Sequence, residues 1–202
     1  MKILKLINAL PIIAAIGLLW YSLQAPPKTS RETFSIPQTQ SATIQIPNGE
    51  PDPDEAANLP EYEVVAGSVH DGDTLRVRSP KGEVLKIRFA CVDAPELNQQ
   101  PMGEESRNYL RSMINEAGGK VKVKIIETDR YGRSVAEIWT KSGLLQSRMT
   151  GAGMAFAYDQ YSKNCPNWDA VKSSEKAASE LKVGVWRSPN FERPWDYRKS
   201  NR

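Results

Sequence analysis

Two short stretches of the chain carry acids where a buried strand should end. HDGDT, residues 70–74, sets Asp71 and Asp73 around a glycine, and KIRFACVDAPE, residues 86–96, runs through apolar positions to Asp93 and Glu96. Side chains alternate across a strand, so Asp73 shares a face with Leu75 and Val77, and Asp93 with Ile87, Phe89 and Cys91. Each aspartate closes a row of inward-facing apolar residues. If both strands line one barrel, the two carboxylates converge at its rim. Like charges in partly desolvated surroundings repel unless one takes a proton or a cation sits between them. Oxygen donors without sulfur or imidazole suit a hard cation, calcium or magnesium, better than zinc or copper. Taken alone, HDGDT is also an ordinary polar turn.

Arginines give the acids a context. Arg88 lies in the same strand as Asp93, and TDRYGRS carries Arg130 and Arg133 around Tyr131. A guanidinium presents fixed donors that match phosphate oxygens, so cation, carboxylates and arginines together describe a site for a phosphodiester. Strict alternation points Arg88 away from the Asp93 face, and a bend or bulge before the rim is required to bring them together. His70, the one histidine, has no orienting partner in view for a triad and no companions for a zinc cluster, and reads as a loop residue near the site.

The elements that must hold these residues are short. YEVVAGSV, DTLRVRS, VLKIRFACV, KVKVKIIE and SVAEIWT are alternating or β-branched runs separated by turn residues, which predicts five strands. GEESRNYLRSMINEAGG repeats Tyr109, Leu110, Met113 and Ile114 at helical spacing and closes on two glycines. SGLLQSRMTGAG predicts a short helix, and WDAVKSSEKAASELKVGVW a longer one with Trp168, Val171, Ala178 and Leu181 toward the core. Five short strands with helices inserted late predict an α+β fold, a five-stranded Greek-key barrel of the OB type with about three helices beside it.

The 202 residues are 40% hydrophobic, enough for one domain with its own core and a surplus for a tail or anchor. Net charge is +3, and the basic excess falls within residues 61–202; this is compatible with an anionic partner without requiring one. Lys2 and Lys5 precede an uncharged apolar stretch, residues 6–23, at the boundary between a signal peptide and a membrane span. Export is expected, by a cleaved signal or an uncleaved anchor over residues 1–25. Residues 26–60 hold seven of the 14 prolines with many Ser, Thr and Gln, and read as a disordered linker. Cys91 and Cys165 are free to pair in an exported chain, but nothing in the sequence brings them close. The tail, residues 188–202, mixes cations with Phe191, Trp195 and Tyr197, and reads as loosely packed rather than as a single-strand binder.

HDGDT, IRFACVDAPE, DRYGR and SEKAASELKVGVW, in this order and at these separations, resemble the staphylococcal nuclease domain from about Val64 to Trp186. The resemblance implies an OB-fold domain over residues 61–187 and a calcium-dependent nuclease acting on DNA or RNA with little sequence preference, leaving 3′-phosphates. It implies calcium ligands at Asp73, Asp93 and the main-chain carbonyl of Ala94. Glu96 would activate or orient the attacking water, and Arg88 and Arg133 would bind the scissile phosphate. Arg130, Tyr131 and Tyr158 would line the nucleotide site, with Phe156 replacing another tyrosine there. LNQQPM, after Glu96, is shorter than the family's mobile loop and lacks its lysines. The expected partners are nucleic acid and, if the leader stays, a membrane through residues 6–23; a monomer is expected. The rival is a catalytically silent member serving as a nucleic-acid or protein binding module.

Overall fold

A computed structural model of the protein describes residues 53–201; the leader, residues 1–25, and the linker up to residue 52 lie outside the described residues. Five strands close into a barrel: β1 (Glu61–Val64), β2 (Thr74–Arg78), β3 (Val84–Phe89), β5 (Lys120–Thr128) and β6 (Ser134–Thr140). Neighbours run antiparallel in the order β3-β2-β1-β5-β6, and a parallel pairing of β3 with β6 completes the ring. Register follows the period-two pattern. Leu75 faces Ile87 across β2 and β3, and the inward residues Leu75, Val77, Ile87, Phe89, Val123 and Ile138 are buried. Each such side chain contributes about 1.5–3 kcal/mol on leaving water. A register shift between Ile125 and Glu127 bends β5 around the barrel. Three two-residue strands add to this frame: β4 (Val92–Asp93) pairs with β8 (Phe156–Ala157), and β7 (Gly143–Leu144) pairs antiparallel with the end of β6.

The helices fall where periodicity predicts. Met102–Glu116 buries Leu110, Met113 and Ile114 and stops at Gly118 and Gly119, both with left-handed backbone. Leu145–Gly151 and Trp168–Glu180 pack together beside the barrel, with Val171 and Ala178 fully buried. Leu181 is 58% exposed, against expectation, because the helix ends at Glu180 and the chain turns through Lys182 with φ of 53°. Among the described residues no helix is long and apolar enough to cross a membrane.

Both domain edges differ from the sequence reading. A short helix, Pro53–Ala57, lies within the stretch read as linker, and Glu55 on it pairs with Lys124 of β5 and accepts a hydrogen bond from Asn167. The folded domain therefore starts ahead of Glu61. The tail is not loose. It forms a helix, Pro194–Ser200, anchored where Phe191 and Trp195 pack on Phe156 and where Pro194 is buried. The cysteines do pair: Cys91 and Cys165, 74 residues apart in sequence, form a disulfide.

Candidate active site

The acids meet because of how β3 ends. Phe89 is its last residue, and Cys91 then takes a left-handed backbone with φ of 70°, which breaks the pleat before Val92 and Asp93 begin β4. That conformation costs a non-glycine residue on the order of 1–2 kcal/mol. Here the Cys91 side chain is tied to Cys165 and its carbonyl accepts the N–H of Tyr158 at 2.8 Å. The kink is the bend that strict alternation lacks. It turns Asp93 toward Arg88, whose Nη2 reaches Asp93 Oδ1 at 2.5 Å and the Val92 carbonyl at 3.3 Å. Arg88 Nη1 pairs with Asp73 Oδ1. One guanidinium thus joins two fully buried carboxylates, Asp73 just ahead of β2 and Asp93 on β4.

Asp73 is fixed by its own turn as well. Asp71 accepts the Asp73 N–H at 3.0 Å, which closes the DGD turn, and Asp73 accepts from Thr74 Oγ1 at 3.1 Å and from the Ala94 N–H at 2.6 Å. HDGDT is therefore a polar turn and a site segment at once. Gly72 is required by packing: a Cβ there would fall 1.8 Å from Ser106 Oγ and 2.7 Å from the Ala94 methyl. A second glycine serves Glu96. A Cβ on Gly103 would fall 2.0 Å from the Glu96 carbonyl oxygen, so only glycine lets the start of the Met102–Glu116 helix press against this loop.

Glu96 itself is half-buried, and its loop is clamped by Gln99. Gln99 Oε1 accepts the Glu96 N–H at 2.9 Å, while Gln99 Nε2 donates to the Glu192 carbonyl at 2.8 Å. The short loop that lacks lysines is thus held to the C-terminal segment. That segment supplies a residue the sequence reading missed. Arg198 donates from Nη1 to Glu96 Oε1 at 2.5 Å and to Asp93 Oδ1 at 3.1 Å, and from Nη2 to Asp93 Oδ2 at 2.7 Å. Burial works against its charge, but the hydrogen bonds to Asp93 and Glu96 outweigh this and raise its pKa above the usual arginine value. The one signal for it in the sequence is the mixture of cations and aromatics in RSPNFERPWDYRKSNR.

The DRYGR turn forms another wall of the same cleft, which encloses about 650 Å³ and is lined by Asp73, Arg88, Glu96, Tyr131, Arg133 and Tyr158 among others. Asp129 shapes the turn by accepting the N–H groups of Tyr131 and Arg133, each at 2.9 Å, and Arg133 Nε at 2.7 Å. Partial burial opposes the charge on Asp129, yet these donors hold its carboxyl below the usual aspartate range. Tyr131 is exposed, with Arg130 and Arg133 at 4.8 and 5.7 Å from its ring centre. Arg133 is thus brought into the cleft but paired with Asp129 rather than with Asp73 or Asp93. Tyr158 stacks flat on Trp195 at 4.8 Å, and burial together with the negative charge of Asp93 pushes its hydroxyl pKa up. Phe156, by contrast, is buried under Trp186, Phe191 and Trp195 and does not line the cleft. His70 is exposed at its rim.

The donor set has the chemistry of a hard-cation site. Asp73, Asp93 and Glu96 set three negative charges against one from Arg88, and the Ala94 peptide lies against Asp73. Arg198 already stands as a cation between Asp93 and Glu96. Among the described residues, the group of acid and cysteine side chains whose donor atoms lie within 4.8 Å of one another is Cys91, Glu137 and Cys165, but its sulfurs are bonded to each other and offer no thiolate; Asp73, Asp93 and Glu96, with Arg88 and Arg198 between them, are spaced more widely.

Comparison with known proteins gives the chain a family. Residues 86–188 match the family described as staphylococcal nuclease homologue. A micrococcal nuclease of Shigella flexneri is 30% identical over 65% of this chain and 78% of its own length. A probable staphylococcal-like nuclease of Oryza sativa subsp. japonica is 38% identical over 58% of this chain, and an uncharacterized 38.1 kDa protein of Capnoides sempervirens is 30% identical over 88% of it. The chain spans 29% and 61% of the lengths of these two plant proteins.

Proposed function

The chain belongs to the staphylococcal nuclease family, and we propose that it is a calcium-dependent nuclease that hydrolyses phosphodiester bonds of DNA or RNA with little sequence preference, leaving 3′-phosphate ends. One observation carries this reading: Asp73, Arg88 and Glu96, drawn from a turn, a strand and a loop, line one cleft with Arg133, Tyr131 and Tyr158, and the buried Asp93 lies directly behind them, paired with Arg88. Asp73, Asp93 and the Ala94 carbonyl would hold calcium, which when bound offsets the charge of the phosphate oxygens. Glu96 accepts the proton of the water whose oxygen attacks phosphorus, as the bond from phosphorus to the 5′ oxygen breaks and that oxygen leaves with the bonding pair and takes a proton from solvent. Arg88 and Arg133 donate to the phosphate oxygens and bind the growing charge of the transition state more tightly than the ground state. Tyr131 and Tyr158 offer ring faces to a base or sugar, contacts that are tolerant of sequence.

The test is degradation of plasmid DNA and of RNA by the full 202-residue chain, with calcium, with chelator, and with Glu96→Gln. Cleavage that stops in chelator and falls about 10²–10⁴-fold in the variant is expected. Nucleic-acid binding without cleavage would instead favour the silent module. We further propose that the domain works outside the cytoplasm, tethered through residues 6–23 if the leader stays. Lys2 and Lys5 ahead of that apolar stretch support export, as does a disulfide, which persists in oxidising compartments.

A further inference from the structure

The C-terminal helix presents Arg198 to the two acids that the proposed function needs most. Three hydrogen bonds commit its guanidinium to Asp93 and Glu96, whereas the rest of its segment is fastened elsewhere. Gln99 holds the Glu192 carbonyl, Pro194 is buried, Phe191 and Trp195 pack on Phe156, and the Arg193 guanidinium lies 4.0 Å from the centre of the Phe156 ring. The helix can therefore stay while one long, half-exposed side chain leaves. Charge defines what would drive it off. Asp73, Asp93 and Glu96 against Arg88 leave two negative charges, which a divalent ion balances, and Arg198 takes up one of them.

We infer that Arg198 is a further positioning residue of the site, an internal counter-ion that holds Asp93 and Glu96 together and that a divalent cation must displace in order to bind. The inference rests on the proposed calcium site. Arg198 keeps two like charges from driving the Glu96 loop away from Asp93, and it yields because its own side chain, 37% exposed, can return to water while a divalent ion among oxygens takes over the charge of buried Asp93.

The experiment is calorimetric titration of calcium into the full chain, comparing wild type with R198A, R198Q and R198K, with urea unfolding to verify that each variant is folded. R198A and R198Q should bind calcium about tenfold more tightly than wild type, while R198K, which keeps the charge, stays within about threefold of it. A residue that only braced the fold would weaken calcium binding or leave it unchanged when removed. Equal or weaker binding by folded R198A and R198Q overturns the inference. If R198A fails to fold, R198Q and R198K decide by the same criterion. Cleavage assayed in parallel separates the two readings. Unchanged affinities with chelator-sensitive cleavage sink the counter-ion and leave the nuclease standing, whereas no calcium uptake and no cleavage by any of the proteins sinks both.

Discussion

Replacing Arg88 with methionine tests the electrostatics of the site directly. Arg88 is the shared partner of Asp73 and Asp93, both fully buried, and its own side chain is 16% exposed. Methionine keeps much of the apolar stem and removes the charge. Asp93 still has Arg198, but Asp73 is left with only the Thr74 hydroxyl and the Ala94 N–H. Breaking a buried pair by removing one partner costs about 3–5 kcal/mol, since it strands the other charge. A stranded carboxyl can escape by taking a proton. That caps its cost at the free energy of protonating an ordinary aspartate, about 4 kcal/mol at pH 7 and about 1.5 kcal/mol at pH 5. Urea denaturation in chelator should therefore show Arg88→Met less stable than wild type by about 3–4 kcal/mol at pH 7, a gap that shrinks to about 1.5 kcal/mol at pH 5. A gap under about 1 kcal/mol at pH 7, or one that ignores pH, would refute the claim that one guanidinium compensates two ionised acids.

Two other outcomes follow from the same structure. The disulfide closes 74 residues of chain, so a Cys91→Ser/Cys165→Ser variant should lose up to about 4 kcal/mol by the chain-entropy argument, read as a lowered urea midpoint; an unchanged midpoint would count against it. Burial pushes the Glu137 carboxyl above the usual 4.5, against the hydrogen bonds it receives from Asn167. The folded state then keeps its proton to higher pH than the unfolded chain does, and stability falls as pH rises from 4.5 through the raised value. Glu137→Gln removes that decline, so urea midpoints followed from pH 4 to 7 should shift in the variant's favour as pH rises, and a constant gap would contradict the sign.

What the sequence made legible was what short-range alternation determines. The inward rows Leu75 and Val77 on β2 and Ile87 and Phe89 on β3, the hairpin carrying Arg133, and the helical spacing of Leu110, Met113 and Ile114 all follow from periods of two and 3.6, whereas Asp73 and Asp93 lie just beyond those strands, Asp93 past a break in the pleat. Arg88 lay at the limit of that logic. Its meeting with Asp93 depends on left-handed backbone at Cys91, and a cysteine announces no such conformation; the disulfide partner that holds the kink is 74 residues away. The first turn before the barrel was hidden by composition. Pro53–Ala57 reads as linker because its helix is too short for a period, and it is held by Glu55 against Lys124 and Asn167, contacts no local pattern encodes.

Arg198 was hidden for a further reason, and that reason bears on how the site works. A basic, aromatic tail reads as solvent-facing because nothing in it alternates. Yet Phe156, where the family resemblance led one to expect a tyrosine in the nucleotide site, is turned away from the cleft and into a cluster with Trp186, Phe191 and Trp195. An apolar ring at this position, without a hydroxyl to keep wet, is what the tail docks on. Docking brings Trp195 flat against Tyr158 and Arg198 onto Asp93 and Glu96. Phe156 thus holds in place the segment that carries Arg198 onto Asp93 and Glu96.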